Sequence, residues 1–234
     1  MKRVTQIILL FLFAGILTQV HAQVVNETAK RKISFGVGLF TDVMTKFPSG
    51  VKPRTINQGF NVFGTYNIPF GKSNFGFAIG LGITAHNIFG NFIVNRTQDS
   101  TKLVKIPDTV SYKRSKMTLA YLEIPIEFRF KSKSKISVGI GFKGGFLIGS
   151  NTKYVGDGNV NISSGFMPTP NYSEKTKVKF WGIKNLESFS YGPTLRIGYK
   201  WFNVNASYML SSIFVKSSGP EVVPLSIGFL LMPF

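Results

Sequence analysis

Alternation of bulky apolar residues with small or polar ones is the feature that most restricts how this 234-residue chain can fold. Residues 137–144 read SVGIGFKG, so valine, isoleucine and phenylalanine share one face of an extended segment, while Gly139, Gly141 and Lys143 occupy the other. This period of two is that of a β-strand whose two faces meet different surroundings. Because the pattern recurs along the chain, it predicts an all-β fold.

The alternation predicts about eight strands, each roughly 10 residues long, which is the length that a tilted strand needs to cross a bilayer. We place them at about residues 33–41, 58–68, 75–85, 118–130, 136–150, 189–199, 202–210 and 222–234. Links after alternate strands are short and the others are long. That rhythm is typical of a transmembrane antiparallel up-and-down barrel with short periplasmic turns and long extracellular loops. Each of the two longest links could hold a further hairpin, so the strand count is eight plus or minus two.

The first 22 residues have the pattern of a secretory signal peptide. Lys2 and Arg3 precede a mainly apolar run at residues 4–17, and residues 20–22, Val-His-Ala, offer a small-x-small cleavage site. A retained anchor helix is the alternative, but this run is shorter than the roughly 20 residues that a spanning helix needs. We therefore predict a signal peptide at 1–22, a barrel domain at 23–234 and a location in the bacterial outer membrane.

Composition favours a membrane barrel over a soluble one. Aromatic residues make up 14% of the chain and charged residues only 16%, below the usual proportion of about a quarter. A soluble lipocalin-like barrel is the main structural rival, but its bulky residues would fill the interior. Aromatic residues near strand ends are expected to form interfacial girdles: Tyr66, Phe70, Phe89, Tyr121, Tyr199, Trp201 and Phe202.

The formal net charge of +18 points to an anionic partner. Export disfavours nucleic acid, so we expect outer-membrane lipid and lipopolysaccharide phosphates as partners, and envelope proteins as further candidates. Merely solvated loops are the alternative. The charges of the two longest links are those of Arg96, Lys102, Lys105, Lys113, Arg114, Lys116, Lys153, Lys175, Lys177, Lys179 and Lys184, against Asp99, Asp108, Asp157, Glu174 and Glu187.

Five charged residues within the predicted strands fall on the face opposite the bulky side chains: Glu123, Glu127, Arg129, Lys143 and Arg196. A charge facing lipid costs about 2–4 kcal/mol near the midplane, so these side chains are predicted to point inward. The lumen of eight strands is narrow and filled by side chains. We predict a structural network of neutralising charges there, in preference to paired acids for hydrolysis or an ion path.

No residue pattern indicates a catalytic, cofactor or metal site. The absence of cysteine excludes disulfides and cysteine-based metal sites. His86 is the one histidine beyond the predicted signal peptide, and we expect it to be a solvated residue at the barrel rim. The glycines 139, 141 and 144 match a dinucleotide fingerprint in spacing, but they lie within a predicted strand, so that match is rejected. We predict no cofactor.

Residues 121–128, YLEIPIEF, resemble the Tyr-Leu-Glu-Ile-Pro signature of the PorT-like outer-membrane β-barrel family. Residues 191–199, YGPTLRIGY, are similar to a later strand of that family. The resemblance implies an outer-membrane barrel of about eight strands, and some relatives are associated with protein secretion and gliding. We therefore expect a non-enzymatic structural or interaction module, an accessory of a secretion or surface-assembly machine. A small-solute pore is the alternative, and a ligand-binding or lipid-modifying barrel is less favoured.

Overall fold

The computed structural model describes residues 32–96, 100–157, 159–161, 165–167 and 175–232. The predicted signal peptide, together with Asp99 and Glu174, lies outside these residues. The strands are β1 (Ile33–Lys46), β2 (Gln58–Pro69), β3 (Phe75–Phe89), β4 (Phe92–Arg96), β5 (Thr101–Lys105), β6 (Tyr112–Lys131), β7 (Ile136–Asp157), β8 (Asn159–Asn161), β9 (Gly165–Met167), β10 (Lys175–Trp181), β11 (Phe189–Tyr199), β12 (Phe202–Tyr208) and β13 (Val223–Leu231).

Eight of these strands close into one barrel. In spatial order they are β1, β2, β3, β6, β7, β11, β12 and β13, each antiparallel to the next, and β13 pairs back with β1. Closure gives each of these eight strands two hydrogen-bonded neighbours and leaves no sheet edge in the barrel wall. The predicted antiparallel eight-stranded barrel is confirmed, and β11 has the bounds that the sequence predicted.

The two faces of the barrel wall differ as the alternation indicates. On the outer wall, Leu39 is 67% exposed, Ile140 63% and Phe229 58%, while the intervening side chains point into the barrel. A soluble barrel would instead bury its bulky residues in the interior. An outer wall of exposed apolar side chains is suited to contact with lipid, so the lipocalin-like alternative is excluded.

Short turns join the strands at one end of the barrel, which we call the turn end. They span residues 70–74, 132–135 and 200–201. Gly71, Lys135 and Lys200 adopt positive φ angles of 58°, 66° and 56° in these turns. Glycine suits this left-handed conformation, whereas a lysine there is uncommon. The two lysines therefore occupy positions that local backbone preference alone would not assign to them.

The opposite end, the loop end, carries more structure than the sequence predicted. The two longest predicted links contain the hairpins β4–β5 and β8–β9, which do not join the barrel sheet. In addition, β6 and β7 continue beyond their predicted ends and remain paired as far as residues 112 and 156, and β10 adds to the far part of β7. The barrel count stays at eight, with a three-stranded extension above it.

An apolar cluster fills the barrel at the loop end, and we call it the apolar plug. Strand residues such as Met117 and Leu119 contribute from the wall, while Phe92 and Phe214 contribute from the loop regions, and all four are almost fully buried. Burial of this surface holds the loops onto the barrel. The members of the plug are Val51, Ile88, Phe92, Leu103, Met117, Leu119, Tyr121, Ile183, Leu186, Met209, Ile213, Phe214 and Val222.

Tyr121 corrects the predicted aromatic girdles. Its side chain is only 1% exposed and packs in the apolar plug, because it shares the inner face of β6 with Glu123. By contrast, Tyr66, Tyr199 and Trp201 are 46%, 55% and 56% exposed near strand ends.

Among the residues that the structure describes, there is no helix long and apolar enough to cross a membrane.

Candidate functional site

The structure places all five charged residues singled out in the sequence on the inner wall. Glu123, Glu127 and Arg129 alternate along β6 and are 6%, 9% and 5% exposed. Lys143 projects from β7, and Arg196, also 5% exposed, projects from β11. These side chains meet inside the barrel as two separate groups.

The first group joins β6 to β7 and to β3. Lys143 Nζ lies 2.9 Å from Glu123 Oε1, and the Thr84 hydroxyl donates to Glu123 Oε2 at 2.6 Å. Both oxygens of this buried carboxylate are therefore bound. Because each oxygen already accepts a bond from a neighbouring strand, this group acts as a cross-link between strands.

The second group joins three parts of the wall through one carboxylate. Arg129 Nε and Arg196 Nη2 both donate to Glu127 Oε2, at 2.8 Å and 2.6 Å. Arg129 Nη1 also donates to Asn67 on β2. Gly141 makes room for this arrangement, because a Cβ atom there would come within 2.8 Å of Glu127 Cγ. Two guanidinium groups thus share one carboxylate, which leaves an excess positive charge.

His86 corrects a second expectation from the sequence. It is 2% exposed and lies inside the barrel, not solvated at the rim. Its Nδ1 lies 2.9 Å from Asp42 Oδ2, and the Ser226 hydroxyl donates to Asp42 Oδ1 at 2.6 Å. The sequence offered no nearby carboxylate, because Asp42 lies on β1, which is separated from β3 by β2. The serine bonds to the aspartate and not to the imidazole, which is unlike a nucleophile activated by its base.

Five cations that the sequence placed in the two longest links lie on strands of the extension, and the sequence did not reveal that they form a row. Lys116 on β6 pairs in register with Lys153 on β7, and Lys153 pairs with Lys179 on β10. Strand neighbours two residues away share a face, so Arg114 and Lys177 belong to the same surface. We call these five residues the basic belt.

The basic belt continues the outer wall of the barrel beyond its apolar band. On β6 the outward positions run from Phe128 through Leu122 and then reach Lys116 and Arg114. Trp181, 68% exposed, lies on the same outer face of β10, and Lys179 Nζ sits 3.7 Å from the centroid of its ring. An aromatic residue followed by cations is the order expected where a barrel wall leaves the hydrocarbon for the headgroups.

Like charges crowd one another in the basic belt. The pKa of Lys116, which lies on the extension above the apolar band, is lowered by partial burial and by Arg114, Lys153 and Lys179. Like charges directly opposite one another across strands are destabilising. The salt bridges within the described residues do not include any member of the belt. An anion bound at the belt would therefore relieve this repulsion.

The fold and its two charged regions are those of an outer-membrane β-barrel protein. Residues 21–214 match the model of the family described as outer membrane protein beta-barrel domain, and the chain belongs to this family. The turn end therefore faces the periplasm and the loop end faces the exterior, since barrels of this kind keep their periplasmic turns short. No curated protein matches the chain in sequence.

Solved structures with some likeness include Ail, the attachment invasion locus protein of Yersinia pestis. Its crystal structure is 12% identical with a TM-score of 0.39, and the match covers 86% of this chain and 97% of that one. Its complex with the heparin analogue sucrose octasulfate is 15% identical with a TM-score of 0.37, and the match covers 86% of this chain and 97% of that one. Its structure in a phospholipid bilayer nanodisc is 16% identical with a TM-score of 0.35, and the match covers 86% of this chain and 98% of that one. Scores this low describe a general likeness of form, so the family assignment rests on the family match.

Among the described residues, no group of three or more histidine, cysteine, aspartate or glutamate side chains could hold a metal ion. The inner carboxylates Glu123 and Glu127 are each occupied by cations. The interior therefore offers ionic cross-links, and the exterior offers a basic surface. Of these two regions, the basic belt is the one that lies on the outer surface of the barrel at the loop end.

Replacing Glu127 with leucine should destabilise the barrel strongly, because Arg129 and Arg196 would then face each other without a carboxylate. Breaking a buried ion pair by removing one partner costs about 3–5 kcal/mol. The measurement is the free energy of unfolding in urea, with the protein in detergent micelles. The control is E123L/K143M, which removes a whole ion pair and should cost less. An equal loss in the two variants would contradict the shared-carboxylate arrangement.

Proposed function

We propose that this protein is a non-enzymatic interaction module of the outer membrane, and that it binds lipopolysaccharide phosphates through the basic belt. The observation that carries the proposal is the register of Lys116, Lys153 and Lys179, which aligns three cations across neighbouring strands. Like charges in such a row oppose folding unless an anion accompanies them. Phosphate groups of the outer leaflet supply that anion at the height where the belt leaves the apolar band.

The geometry of the belt fits a phosphate-bearing lipid better than a soluble anion. The belt lies on the outer wall, on the same face as the lipid-facing side chains of β6 and β7. Lys116 Nζ and the Arg54 guanidinium both sit over the ring of Phe89, 5.4 Å and 5.3 Å from its centroid. Cations spread along the wall above apolar residues complement a layer of anionic headgroups.

A role as a pore or an enzyme finds less support. The apolar plug occupies the lumen at the loop end, and the two ion-pair groups cross-link the lumen below it. A solute would have to displace both. The charged side chains of the interior form ion pairs with one another, so we assign them a structural role.

Neutralising the belt should abolish stabilisation by lipopolysaccharide. For K116Q/K153Q/K179Q we expect the Tm in micelles without lipopolysaccharide to stay equal or rise, because like-charge repulsion is removed. Adding lipopolysaccharide should raise the Tm of the unaltered protein and leave that of the variant unchanged, since only a ligand that binds the folded state stabilises it. The measurement is thermal unfolding with and without lipopolysaccharide, at one fixed salt concentration.

The matched control is K102Q/K184Q/K216Q, which removes three exposed lysines of the loop end that lie off the belt. This variant should keep the full response to lipopolysaccharide. A response lost equally in both triple variants would mean diffuse attraction to a positive protein, and the belt proposal would fail. Lipopolysaccharide with its phosphates removed should stabilise neither variant nor the unaltered protein.

The closed lumen gives a separate expectation for planar lipid bilayers. Purified protein should show no large, steady conductance, because the apolar plug and the ion-pair groups leave no continuous aqueous path. Single-channel recording at both voltage polarities is the measurement. Large steady channels from homogeneous protein would favour the pore function instead.

We further propose membership of the PorT-like branch and an accessory role in protein secretion or surface assembly. The support is the YLEIPIEF segment at residues 121–128, which supplies Glu123 and Glu127 of the interior groups. Deleting the gene should lower the amount of secreted surface protein, measured by mass spectrometry of the cell surface, and restoring the gene should reverse the loss. An unchanged surface proteome would contradict this role.

A further inference from the structure

The periplasmic end of the barrel contains a cavity that the proposed function does not use. It measures about 440 Å³ and lies between the 132–135 turn, the 200–201 turn and the start of β1. This volume falls within the range of about 300–1,000 Å³ typical of small-molecule sites. We call it the periplasmic cavity, and its lining includes the hydroxyls of Ser34 and Ser137.

Five cationic side chains line the periplasmic cavity: Arg129, Lys131, Lys135, Arg196 and Lys200. Among the described residues, no acidic side chain lines it. The nearest carboxylate in the network is that of Glu127, which both arginines already share. None of the three lysines forms an ion pair within the part of the chain that the structure describes. Within the described residues, the cavity therefore holds several positive charges without a balancing acidic side chain.

Two buried donors of these arginines lack a partner among the described residues. Arg129 uses Nε and Nη1 for Glu127 and Asn67, but its Nη2 makes no hydrogen bond. Arg196 uses Nη2 for Glu127 and Nη1 for the thioether of Met232, but its Nε makes none. Both side chains are only 5% exposed, and a buried charged donor left unpaired is strongly unfavourable.

We propose that the periplasmic cavity binds a phosphate group. Guanidinium groups present paired donors that match phosphate oxygens, and lysines add charge without fixed direction. A phosphate monoester carries nearly two negative charges at pH 7, and a phosphodiester carries one charge spread over two free oxygens that paired donors can bind, so either suits these cations. The group enters from the periplasm, carried by a soluble phosphate compound or by the headgroup of an inner-leaflet phospholipid at the barrel rim.

The position of two of the lysines agrees with this assignment. Lys135 and Lys200 lie in the left-handed conformation of their turns, where glycine or asparagine is the ordinary choice. Lys200 Nζ also lies 5.3 Å from the centroid of the Tyr199 ring. Two separate turns thus carry a cation to the same cavity at a backbone position that does not favour lysine.

The test uses inorganic pyrophosphate as the probe and the full-length purified barrel in zwitterionic detergent. Binding is followed by isothermal titration calorimetry and by methyl NMR of ¹³C-labelled methionine. Met232 lines the cavity and reports locally, while Met117 and Met209 in the apolar plug report on any global change. We expect pyrophosphate to shift the Met232 resonance and to leave those of Met117 and Met209 in place.

The variant K131Q/K135N removes two cavity cations, one at the end of β6 and one in the 132–135 turn, without touching the arginines of the interior network. Asparagine is placed at residue 135 because it tolerates the left-handed conformation. We expect this variant to bind pyrophosphate about tenfold or more weakly, through the loss of charge-assisted contacts. The matched control is K72Q/K133Q, which removes two exposed lysines at the same end of the barrel that do not line the cavity. It should bind within about twofold of the unaltered protein.

A second arm separates the two sources of phosphate. The barrel is placed in nanodiscs of phosphatidylcholine, with or without phosphatidylglycerol, and the Met232 resonance is measured before and after pyrophosphate is added. A shift caused by phosphatidylglycerol alone assigns the site to a lipid headgroup, and a shift caused only by pyrophosphate assigns it to a soluble compound. No shift in any condition, or an equal loss of affinity in the two double variants, would overturn the proposal.

Discussion

Backbone hydrogen bonding in lipid is the constraint on which this structure depends. A strand in hydrocarbon cannot leave its N–H and C=O groups unpaired, so the sheet must close, and pairing of β13 with β1 closes it. Closure creates a narrow inside that side chains largely fill. The charged residues that cannot face lipid must then pair with one another there, as Lys143 does with Glu123 and as two arginines do with the single carboxylate of Glu127. The ion pairs are thus a consequence of closure and of the alternation along each strand.

The sequence predicted those parts of the fold that lipid contact determines. The strand β11 was placed at its observed bounds because both of its ends coincide with a change from alternating to irregular polarity. The sequence did not predict the far parts of β6 and β7, because the alternation of apolar and polar residues ends before these strands do. Beyond Leu119 the outward residues of β6 are Thr118, Lys116 and Arg114, which are polar or charged. The apolar outer face that marks a lipid-facing strand therefore ends there. There the strands persist through pairing with each other, and pairing is not visible in one segment alone.

The candidate sites depend on register, which alternation does not supply. A period of two assigns each side chain to a face, but it does not say which residue of the next strand lies opposite. The basic belt forms because Lys153 stands between Lys116 and Lys179, and the register of β6 with β7 includes a shift between Ala120 and Tyr121. The contact of His86 with Asp42 and the cavity between separate turns arise in the same way. The partners in each of these contacts lie far apart along the chain, so the sequence alone did not show that they meet.

The three-stranded extension of β6, β7 and β10 has a consequence for recognition at the cell surface. From Leu122 to Lys116 the strand rises about 20 Å at the usual rise per residue. The extension that projects beyond the membrane is therefore a hydrogen-bonded sheet and not a free loop. A molecule that binds to this sheet contacts side chains whose backbone is already ordered. The protein therefore loses little conformational entropy on binding. Rigidity of this kind favours slow release from a crowded surface over rapid exchange among many weak ligands.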